Sequence, residues 1–250
     1  MNGAFYIGAT GLRAQQRALE VVANNVANMN TPAFKRSEVR FSQLLGPAAS
    51  GVDLAPGESL AGVMIDRERA VFTQGDIKRT GDPAHLAIDG DGFIELMGPS
   101  GQTLLWRGGT LVVNRDGLLA ASNGLALKSM ITAPYEAGDL SVGPDGVVRM
   151  TGASGSEEIG RIDLVRARDL QGLKAAGEGF YSVDDAADLL SARAGEDGAG
   201  AFVQGAMEAS NVQLSDEMVT LLLMQRAFAA SAQMVQAGDQ LMAIANGLRR

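Results

Sequence analysis

Residues 5–29, FYIGATGLRAQQRALEVVANNVANM, decide the fold because they carry a seven-residue repeat. Apolar, small or amide side chains recur at alternating spacings of three and four residues, at Phe5, Gly8, Leu12, Gln15, Leu19, Val22, Val26 and Met29. This spacing places one stripe along one face of an α-helix and is typical of a helix that packs against another helix. The helix is predicted to end near Asn30-Thr31-Pro32, because proline disfavours helical geometry in the residue before it.

The C-terminal segment repeats this pattern. Asn211 or Ser215 can cap a second helix, and Asp216 and Glu217 suit its positive N-terminal end. The second stripe contains Met218, Leu221, Leu222, Gln225, Phe228, Ala232, Val235, Met242, Ala245 and Leu248.

Both helices also carry apolar residues away from their stripes, including Val21 on the first and Leu223 and Met234 on the second. One pair of helices cannot cover so much apolar surface, and exposed apolar stripes indicate further partners. We therefore predict a coiled coil of the two terminal helices that also packs against neighbouring subunits through Leu12, Leu19, Val22, Val26, Met218, Leu221, Leu222, Phe228 and Val235. The alternative is that the two helices bury each other and nothing more.

The segment between the helices differs in composition. Residues 51–200 hold 25 of the 32 glycines and 13 basic against 23 acidic residues, in a chain of net charge −8. Turn sequences at 89–92, 114–117, 122–124 and 143–146 separate short apolar runs and predict antiparallel hairpins.

Residues 159–165 alternate and predict one more strand, and residues 184–200 are typical of a mobile connector. The predicted fold class is α+β, with long N- and C-terminal helices and an antiparallel β-rich middle domain. The predicted domains are 1–34, 35–200 and 201–250.

Composition excludes several classes of function. The chain has no cysteine and one histidine, which argues against transition-metal sites. The acidic middle argues against a nucleic-acid partner. No run approaches the roughly 18 apolar residues of a membrane span, and no cleavable signal peptide is recognisable at the N-terminus.

The candidate chemical sites have simpler interpretations. Asp89 and Asp91 are similar to the start of a calcium loop but lack its closing glutamate, so a hairpin turn is favoured. His85 is read as a turn residue, and 152–156 as a flexible turn rather than a phosphate loop. We predict no enzyme activity, no cofactor, no metal and no small-molecule substrate. Lys35, Arg36 and Arg40 form either a solvated basic face or a contact to acidic neighbouring subunits.

Residues 23–36, ANNVANMNTPAFKR, resemble the N-terminal signature of flagellar rod, hook and hook-associated proteins, A-N-N-[IL]-A-N-x-N-T-x-G-[FY]-[KR]. The matching positions are Asn24, Asn25, Asn28, Asn30, Thr31 and Phe34. Ala33 stands where that signature has glycine, which predicts a turn without a positive φ here.

Three further stretches resemble the same family. Residues 74–93 are similar to its Q-G-x-[LI]-x-x-T-G … L-A-I-x-G-x-G-F block, and residues 107–124 to its R-x-G … D-x-x-G … S-[DN]-G block. Residues 208–228 are similar to its E-x-S-N-V … E-[ME] … Q-R-A-[FY] block, with matches that include Asn211, Gln225 and Arg226. The matches run almost from end to end of the chain.

The resemblance implies a structural subunit of the flagellar basal-body rod that assembles helically around a central channel and transmits torque. It implies export through the flagellar type III apparatus without a cleaved signal peptide, and a place in the rod that crosses the periplasm. Its implied partners are copies of itself, neighbouring rod and hook proteins, and the export apparatus. The compact length favours a proximal rod subunit; the alternatives are a distal rod subunit or a monomeric ligand-binding β-domain protein.

Overall fold

The computed structural model describes residues 2–44, 62–99, 101–133, 140–152, 155–177, 179–183, 188–196 and 198–247. Two long helices, α1 (Asn2–Ala27) and α2 (Leu214–Gly247), lie at the two ends of the described chain. The strands between them are β1 (Ser37–Leu44), β2 (Gly62–Ala70), β3 (Ile77–Arg79), β4 (His85–Asp89), β5 (Phe93–Met97), β6 (Thr103–Trp106), β7 (Gly108–Val113), β8 (Leu119–Ala121), β9 (Leu140–Val142), β10 (Val147–Gly152), β11 (Gly155–Arg161), β12 (Leu164–Ala167), β13 (Lys174–Gly177), β14 (Phe180–Ser182), β15 (Leu189–Ala192), β16 (Ala201–Gln204) and β17 (Ala206–Glu208). The predicted α+β class, with terminal helices and a β-rich middle, is confirmed.

The chain divides into two compact units. Unit 1 is formed by Met1–Ala27, Ser37–Val71 and Val212–Arg250, and unit 2 by Asn28–Arg36 and Phe72–Asn211. The units do not coincide with the domain boundaries predicted from the sequence, which lie at 34/35 and 200/201. β1 and β2 group with the helices, while β16 and β17 group with the other strands.

The helix ends follow the local sequence in part. Helix α1 gives way to turns in which the Thr31 amide donates to the Asn28 carbonyl at 3.0 Å, close to the predicted end. At α2 the carbonyl of Gln213 accepts from the amides of Asp216 and Glu217, both at 3.1 Å. The predicted cap was therefore wrong, because α2 begins at Leu214 and the side chain of Asn211 bonds elsewhere.

Unit 1 combines the helices with a two-stranded sheet. β1 pairs with β2 in antiparallel register, with an irregularity between Arg40 and Phe41. The guanidinium of Arg17 on α1 donates to Glu68 on β2 at 3.0 Å and to Glu20 at 2.9 Å. These are exposed ion pairs, and solvent screening leaves each of them a weak contribution to stability.

The described residues of unit 2 form four sheets. Their strand orders are β13-β14-β6-β5-β12-β15, β16-β4-β7-β8, β11-β10-β9 and β17-β3. All described pairings are antiparallel. The core is mainly aliphatic and also contains the aromatic side chains Trp106, Phe180 and Phe202. Trp106 is 1% exposed and stacks on Phe180.

Two predicted hairpins are confirmed and two strand predictions are wrong. β7 pairs with β8 and β9 with β10, as their turn sequences indicate. β4 and β5 do not pair, because Asp89–Gly92 carries the chain from one sheet into another. Residues 159–165 are split between β11 and β12, where Ile162 turns into the core at 1% exposure.

Two other expectations for the middle of the chain also need correction. Residues 125–127 make isolated bridges to Ala120 and Leu96 rather than a regular strand. The segment predicted as a mobile connector contains β15, which pairs with β12 over four residues. Residues 184–187 and 197 of that segment lie outside the described residues.

Candidate assembly surface and motif clasp

The two terminal helices contact each other and run antiparallel. The Gln15 amide of α1 donates to the Ser231 hydroxyl of α2 at 3.0 Å. About two helical turns nearer the start of α1, a Cβ atom at Gly8 would lie 2.6 Å from Cγ2 of Val235. Glycine therefore permits a closer approach of the two helices than any other residue would.

The face that α1 buries overlaps the predicted stripe only in part. From Gly8 onwards, where burial is described, its buried residues are Gly8, Ala14, Ala18, Val21, Val22 and Asn25. Leu12, Leu19 and Val26, which were predicted to pack against neighbouring subunits, are half-buried in the single chain. Part of each side chain therefore stays accessible to a partner.

Helix α2 is mostly uncovered. Among its described side chains, large apolar groups are 41–66% exposed at Leu214, Met218, Val219, Leu222, Leu223, Phe228, Met234 and Ile244. Of the predicted packing residues, Met218, Leu222 and Phe228 are exposed, Leu221 and Val235 are half-buried, and only Val22 is buried. A single chain leaves these apolar side chains in water, which is the arrangement expected of a surface that a partner covers.

Length and composition alone would also allow α2 to cross a membrane. In the described part of the chain, Leu214–Gln240 is the one helical segment that is long and apolar enough, and little of it is buried. The expectation of no apolar run of membrane length considered only consecutive apolar residues. Polar and charged residues such as Gln225 and Arg226 interrupt the segment, as in a helix that meets other helices in water.

The asparagines of the family signature hold the chain after α1. The buried amide of Asn25 donates to the Ser37 carbonyl and accepts from the Ser37 amide, both at 2.9 Å. It therefore pairs with β1 as a neighbouring strand would. Thr31 donates from its hydroxyl to the Asn28 side chain at 3.2 Å, and the Phe34 amide donates to the Thr31 carbonyl at 3.3 Å.

Ala33 contradicts the prediction made from its missing glycine. Its φ is 56°, in the left-handed region that glycine usually occupies. Its amide donates to the Glu208 carbonyl at 2.8 Å, and its side chain is 1% exposed. Burial and this hydrogen bond hold an alanine in the conformation that the signature glycine would adopt more easily.

The four sequence blocks that resemble the flagellar family meet at one carboxylate in unit 2. Glu208, whose side chain is 1% exposed, accepts from Lys35 Nζ at 2.5 Å, from Arg107 Nε at 3.0 Å and from the Gly75 amide at 2.9 Å. Lys35 Nζ also donates to the Thr73 carbonyl at 2.8 Å. A side chain at Gly75 would collide with the Ala209 carbonyl, which accounts for glycine there.

Arg107 extends this cluster to the Asp89–Gly92 segment. Its two terminal nitrogens donate to the carbonyls of Gly90 and Gly92, each at 2.5 Å. Its guanidinium lies 5.7 Å from the ring centroid of Phe93. The Asp89–Gly92 segment, predicted as a tight hairpin turn, therefore connects two different sheets, and Arg107 binds two of its backbone carbonyls.

Asn211 completes the cluster. Its side chain accepts from the Arg36 amide at 2.7 Å and donates to the carbonyl and hydroxyl of Thr73 at 3.0 and 2.9 Å. We name the group Lys35, Gly75, Arg107, Glu208 and Asn211 the motif clasp. Each of its members comes from a stretch that resembles the flagellar family, so the signature maintains an intramolecular junction.

Burial dominates the electrostatics of the motif clasp. The pKa of Lys35 is lowered mainly by desolvation, which outweighs the attraction of Glu208, and the positive charge of Arg107 lowers it further. Burial likewise raises the pKa of Tyr181, whose hydroxyl donates to the Ala33 carbonyl at 3.5 Å. Phe72, Phe93 and Tyr181 meet edge to face beside the cluster and shield it from water.

The basic cluster proposed from sequence does not exist as a surface. Lys35 is fully buried, while Arg40 is exposed on β1, so the two do not form one solvated face. His85 accepts from or donates to the Thr80 hydroxyl at 2.8 Å, close to Asp82. No group of three potential metal-ligating side chains occurs among the described residues.

The other signature residues lie at the surface or at its edge. Asn24 and Asn30 are exposed, Phe34 is half-buried, and Gln225 and Arg226 are exposed on α2. Sequence reasoning missed Arg107 and Glu208 as a pair, although both stand inside family blocks. A charged residue within each of two separate motifs was the available signal, but 101 residues separate them and no local pattern joins them.

Comparison with known protein families matches three parts of the chain. The family model described as "Flagella basal body rod protein" matches residues 5–35, and "Flagellar hook protein FlgE/F/G D1 domain" matches residues 87–150. "Flagellar basal body rod FlgEFG protein C-terminal" matches residues 203–248. The first and last matches fall mainly on the terminal helices, and the second on the strands of unit 2.

Full-length relatives are similar across both units. The flagellar basal-body rod protein FlgG of Borreliella burgdorferi is 30% identical over 264 residues, covering 100% of each chain. FlgG of Caulobacter vibrioides is 31% identical, covering 98% of this chain and 99% of its own, and FlgF of the same organism is 32% identical, covering 94% and 93%. The fold and these likenesses define a structural protein of the bacterial flagellum rather than an enzyme. The chain belongs to the flagellar basal-body rod protein family and is a structural subunit of that rod.

Proposed function

We propose that this subunit assembles with copies of itself and with neighbouring rod and hook proteins by packing its two terminal helices into a shared helical tube. The tube surrounds the export channel and transmits torque, and the chain reaches it through the flagellar type III apparatus without loss of a signal peptide. Within the tube α1 and α2 form a coiled coil, and the rod crosses the periplasm.

The observation that carries this proposal is the uncovered apolar surface of α2. Phe228 is 41% and Leu222 is 56% exposed in the single chain, beside six other large apolar side chains of comparable exposure. Complete burial of a fully exposed side chain of this kind contributes about 1.5–3 kcal/mol, so covering the exposed part of several of them favours association. Contacts that join unlike surfaces of successive copies generate helical filaments.

Substitution on α2 tests the assembly surface. We expect Phe228→Asp to abolish rod assembly and motility, because a charge would have to be buried between subunits. Unit 2 should keep its fold, measured by the fluorescence of Trp106. The matched control is Gln233→Asp, which places the same charge at an exposed polar position of the same helix.

Normal motility of a strain that carries only Phe228→Asp would contradict the proposal. Loss of motility with both variants would show sensitivity of α2 to charge rather than a specific packing role for Phe228.

The position of the subunit along the rod has two candidates. The compact length of the chain favours a proximal subunit, and a distal subunit is the alternative. The full-length similarity to FlgG proteins, which are of the distal-rod type, instead favours a distal position. Immunogold labelling of isolated basal bodies distinguishes the two positions by the distance of the label from the hook.

Full-length similarity to rod proteins and the exposed apolar side chains of α2 favour a rod subunit over the alternative of a monomeric ligand-binding β-domain protein. Sedimentation of the purified protein as a stable monomer at high concentration, with no growth of filaments, would contradict the assembly proposal.

A further inference from the structure

The motif clasp joins the chain segments through which unit 2 is connected to the rest of the molecule. The chain leaves or enters unit 2 after residues 27, 36, 71 and 211. The side chain of Asn211 binds both Arg36 and Thr73. These three residues lie at, or within two residues of, three of the four boundaries, so Asn211 links three of the four connecting segments. Glu208 and Lys35 add an ion pair between positions 173 residues apart.

Along the chain, most strands of unit 2 lie between the N-terminal and C-terminal parts of the motif clasp. Strands β3 to β16 fall between residues 77 and 204, whereas the motif clasp uses residues 35, 75 and 208–211 at the two ends of that stretch. Arg107 is the one member contributed from inside it. A force applied through the connecting segments therefore reaches the clasp before it reaches any strand pair of the main sheets.

We propose that the motif clasp is a mechanical bypass: it passes force directly between the N-terminal and C-terminal connecting segments and keeps the three larger sheets of unit 2 free of load, while the two-stranded sheet of β3 and β17 carries Glu208 itself. Charge-assisted hydrogen bonds suit this role, because they are about twice as strong as neutral ones. The exclusion of water by Phe72, Phe93 and Tyr181 strengthens them further. This property concerns the single chain and goes beyond its assembly into a rod.

Single-molecule stretching of the full chain tests the proposal. The chain has no cysteine, so Asn30→Cys and Gln213→Cys provide two unique attachment points at exposed positions on either side of the motif clasp. We expect unit 2 to resist without extension until one rupture event. That event should release from unit 2 roughly 450 Å, the extended length of the 133 residues between Gly75 and Glu208, because residues 37–71 belong to unit 1.

Weakening the motif clasp should lower the rupture force in this geometry, in addition to any change in the free energy of unfolding. With Glu208→Gln, which keeps the shape and removes the charge, we expect the rupture force in this geometry to fall by about twofold. Lys35→Met is the milder variant, since it replaces the buried cation with an apolar side chain of similar length.

The control geometry attaches the same handles across the sheets, through Arg115→Cys and Glu157→Cys. Both positions are exposed and lie on β-rich segments away from the motif clasp. In this geometry Glu208→Gln and Lys35→Met should leave the unfolding force nearly unchanged.

Three outcomes would overturn the proposal. The first is stepwise extension of unit 2 at forces below the main rupture in the unmodified chain. The second is an equal loss of force in both geometries, which would show that the clasp only stabilises the fold. The third is an unchanged rupture force for both clasp variants. Because the measurement uses one chain, its failure is separate from a failure to assemble.

Discussion

At the scale of single residues, Ala33 shows how a junction can impose a backbone conformation. An L-residue in the left-handed region costs about 1–2 kcal/mol relative to ordinary helical or extended geometry. Ala33 adopts φ 56° because its amide must reach the Glu208 carbonyl while its methyl group is buried beside Gly179. The missing glycine suggested the opposite, since sequence carries no record of that hydrogen bond.

We expect Ala33→Gly to change the free energy of unfolding by less than about 1 kcal/mol. Relief of the backbone cost is offset by loss of a buried methyl group, about 0.8 kcal/mol, and by the greater freedom of glycine in the unfolded chain. Ala33→Val should lose at least about 2 kcal/mol, because a β-branched residue is excluded from this conformation. Urea unfolding followed by Trp106 fluorescence measures both. Equal stability of the valine variant would refute the strained turn.

The buried cation of the motif clasp predicts a dependence on pH. Because burial lowers the pKa of Lys35, the unfolded chain binds more protons than the folded chain between that lowered pKa and 10.5. The free energy of unfolding should therefore rise with pH through that window and be level below it. Lys35→Met should lose this rise, measured by urea unfolding from pH 7 to 10.5.

The control for that experiment is Lys174→Met, which removes an exposed lysine from β13. It should keep the pH dependence of the unmodified protein. Tyr181 has the opposite effect at the upper end of this pH range. Its pKa is raised in the folded chain, so near pH 10 the phenol loses its proton first in the unfolded chain, which lowers the free energy of unfolding. Both variants retain Tyr181, so the comparison cancels its effect; parallel curves for all three proteins would contradict the assignment to Lys35.

At the scale of elements, the heptad repeat located α1 and part of its buried face, since the repeat residues Gly8 and Gln15 meet α2. The buried residues Ala14 and Ala18 lie outside the repeat. Periodicity gives the angle between apolar residues around a helix. It does not say which side of a broad apolar surface is covered within the chain and which side is left for other chains.

Two glycines of α1 should respond in opposite directions to the same substitution. Gly8→Ala should destabilise unit 1, because the new Cβ would meet Val235 at 2.6 Å, and Val235→Ala should restore the contact. Gly11→Ala should stabilise α1 by about 0.5–1 kcal/mol, because no atom lies within 4 Å of its Cβ position and alanine favours helix. Thermal unfolding by far-ultraviolet circular dichroism measures both. Stabilisation by Gly8→Ala would refute the close helix contact.

The strands show where turn sequences succeed. Asn114–Gly117 and Gly143–Gly146 close hairpins because both flanking strands belong to one sheet, so local geometry suffices. Asp89–Gly92 has a similar composition but crosses between sheets, where Arg107 binds its carbonyls. A turn signal thus predicts a change of direction, and the partner of each strand depends on residues far along the chain.

At the scale of the whole molecule, the two units differ in how much apolar surface they bury. The core of unit 2 includes Trp106, Leu86 and Ile88, each at most 1% exposed, whereas α2 leaves most of its apolar side chains in water. Helical stability in proteins comes mainly from packing of an apolar face rather than from intrinsic propensity. The terminal helices should therefore be the less stable part of an isolated subunit.

Hydrogen exchange of a dilute monomer tests this difference. We expect amides of β5 and β6 to be protected roughly 10³-fold more than those of α1 and α2, a difference of about 4 kcal/mol in opening free energy. Assembly should remove the difference by covering the helices. Equal protection of residues 5–29 and the strands in the monomer would contradict the proposal that neighbours supply the missing contacts.

The sequence by itself determined the fold class, the two terminal helices, two of the hairpins and the flagellar family, because periodicity, turn composition and local motifs are properties of neighbouring residues. Only the tertiary structure decided which face of α1 is buried, how the strands are ordered into sheets, and that four separate motifs converge on Glu208. The physical reason is that a buried carboxylate needs donors from wherever the fold brings them, here residues 35, 75 and 107. Such partners are selected by burial and geometry in three dimensions, and spacing along the chain does not encode them.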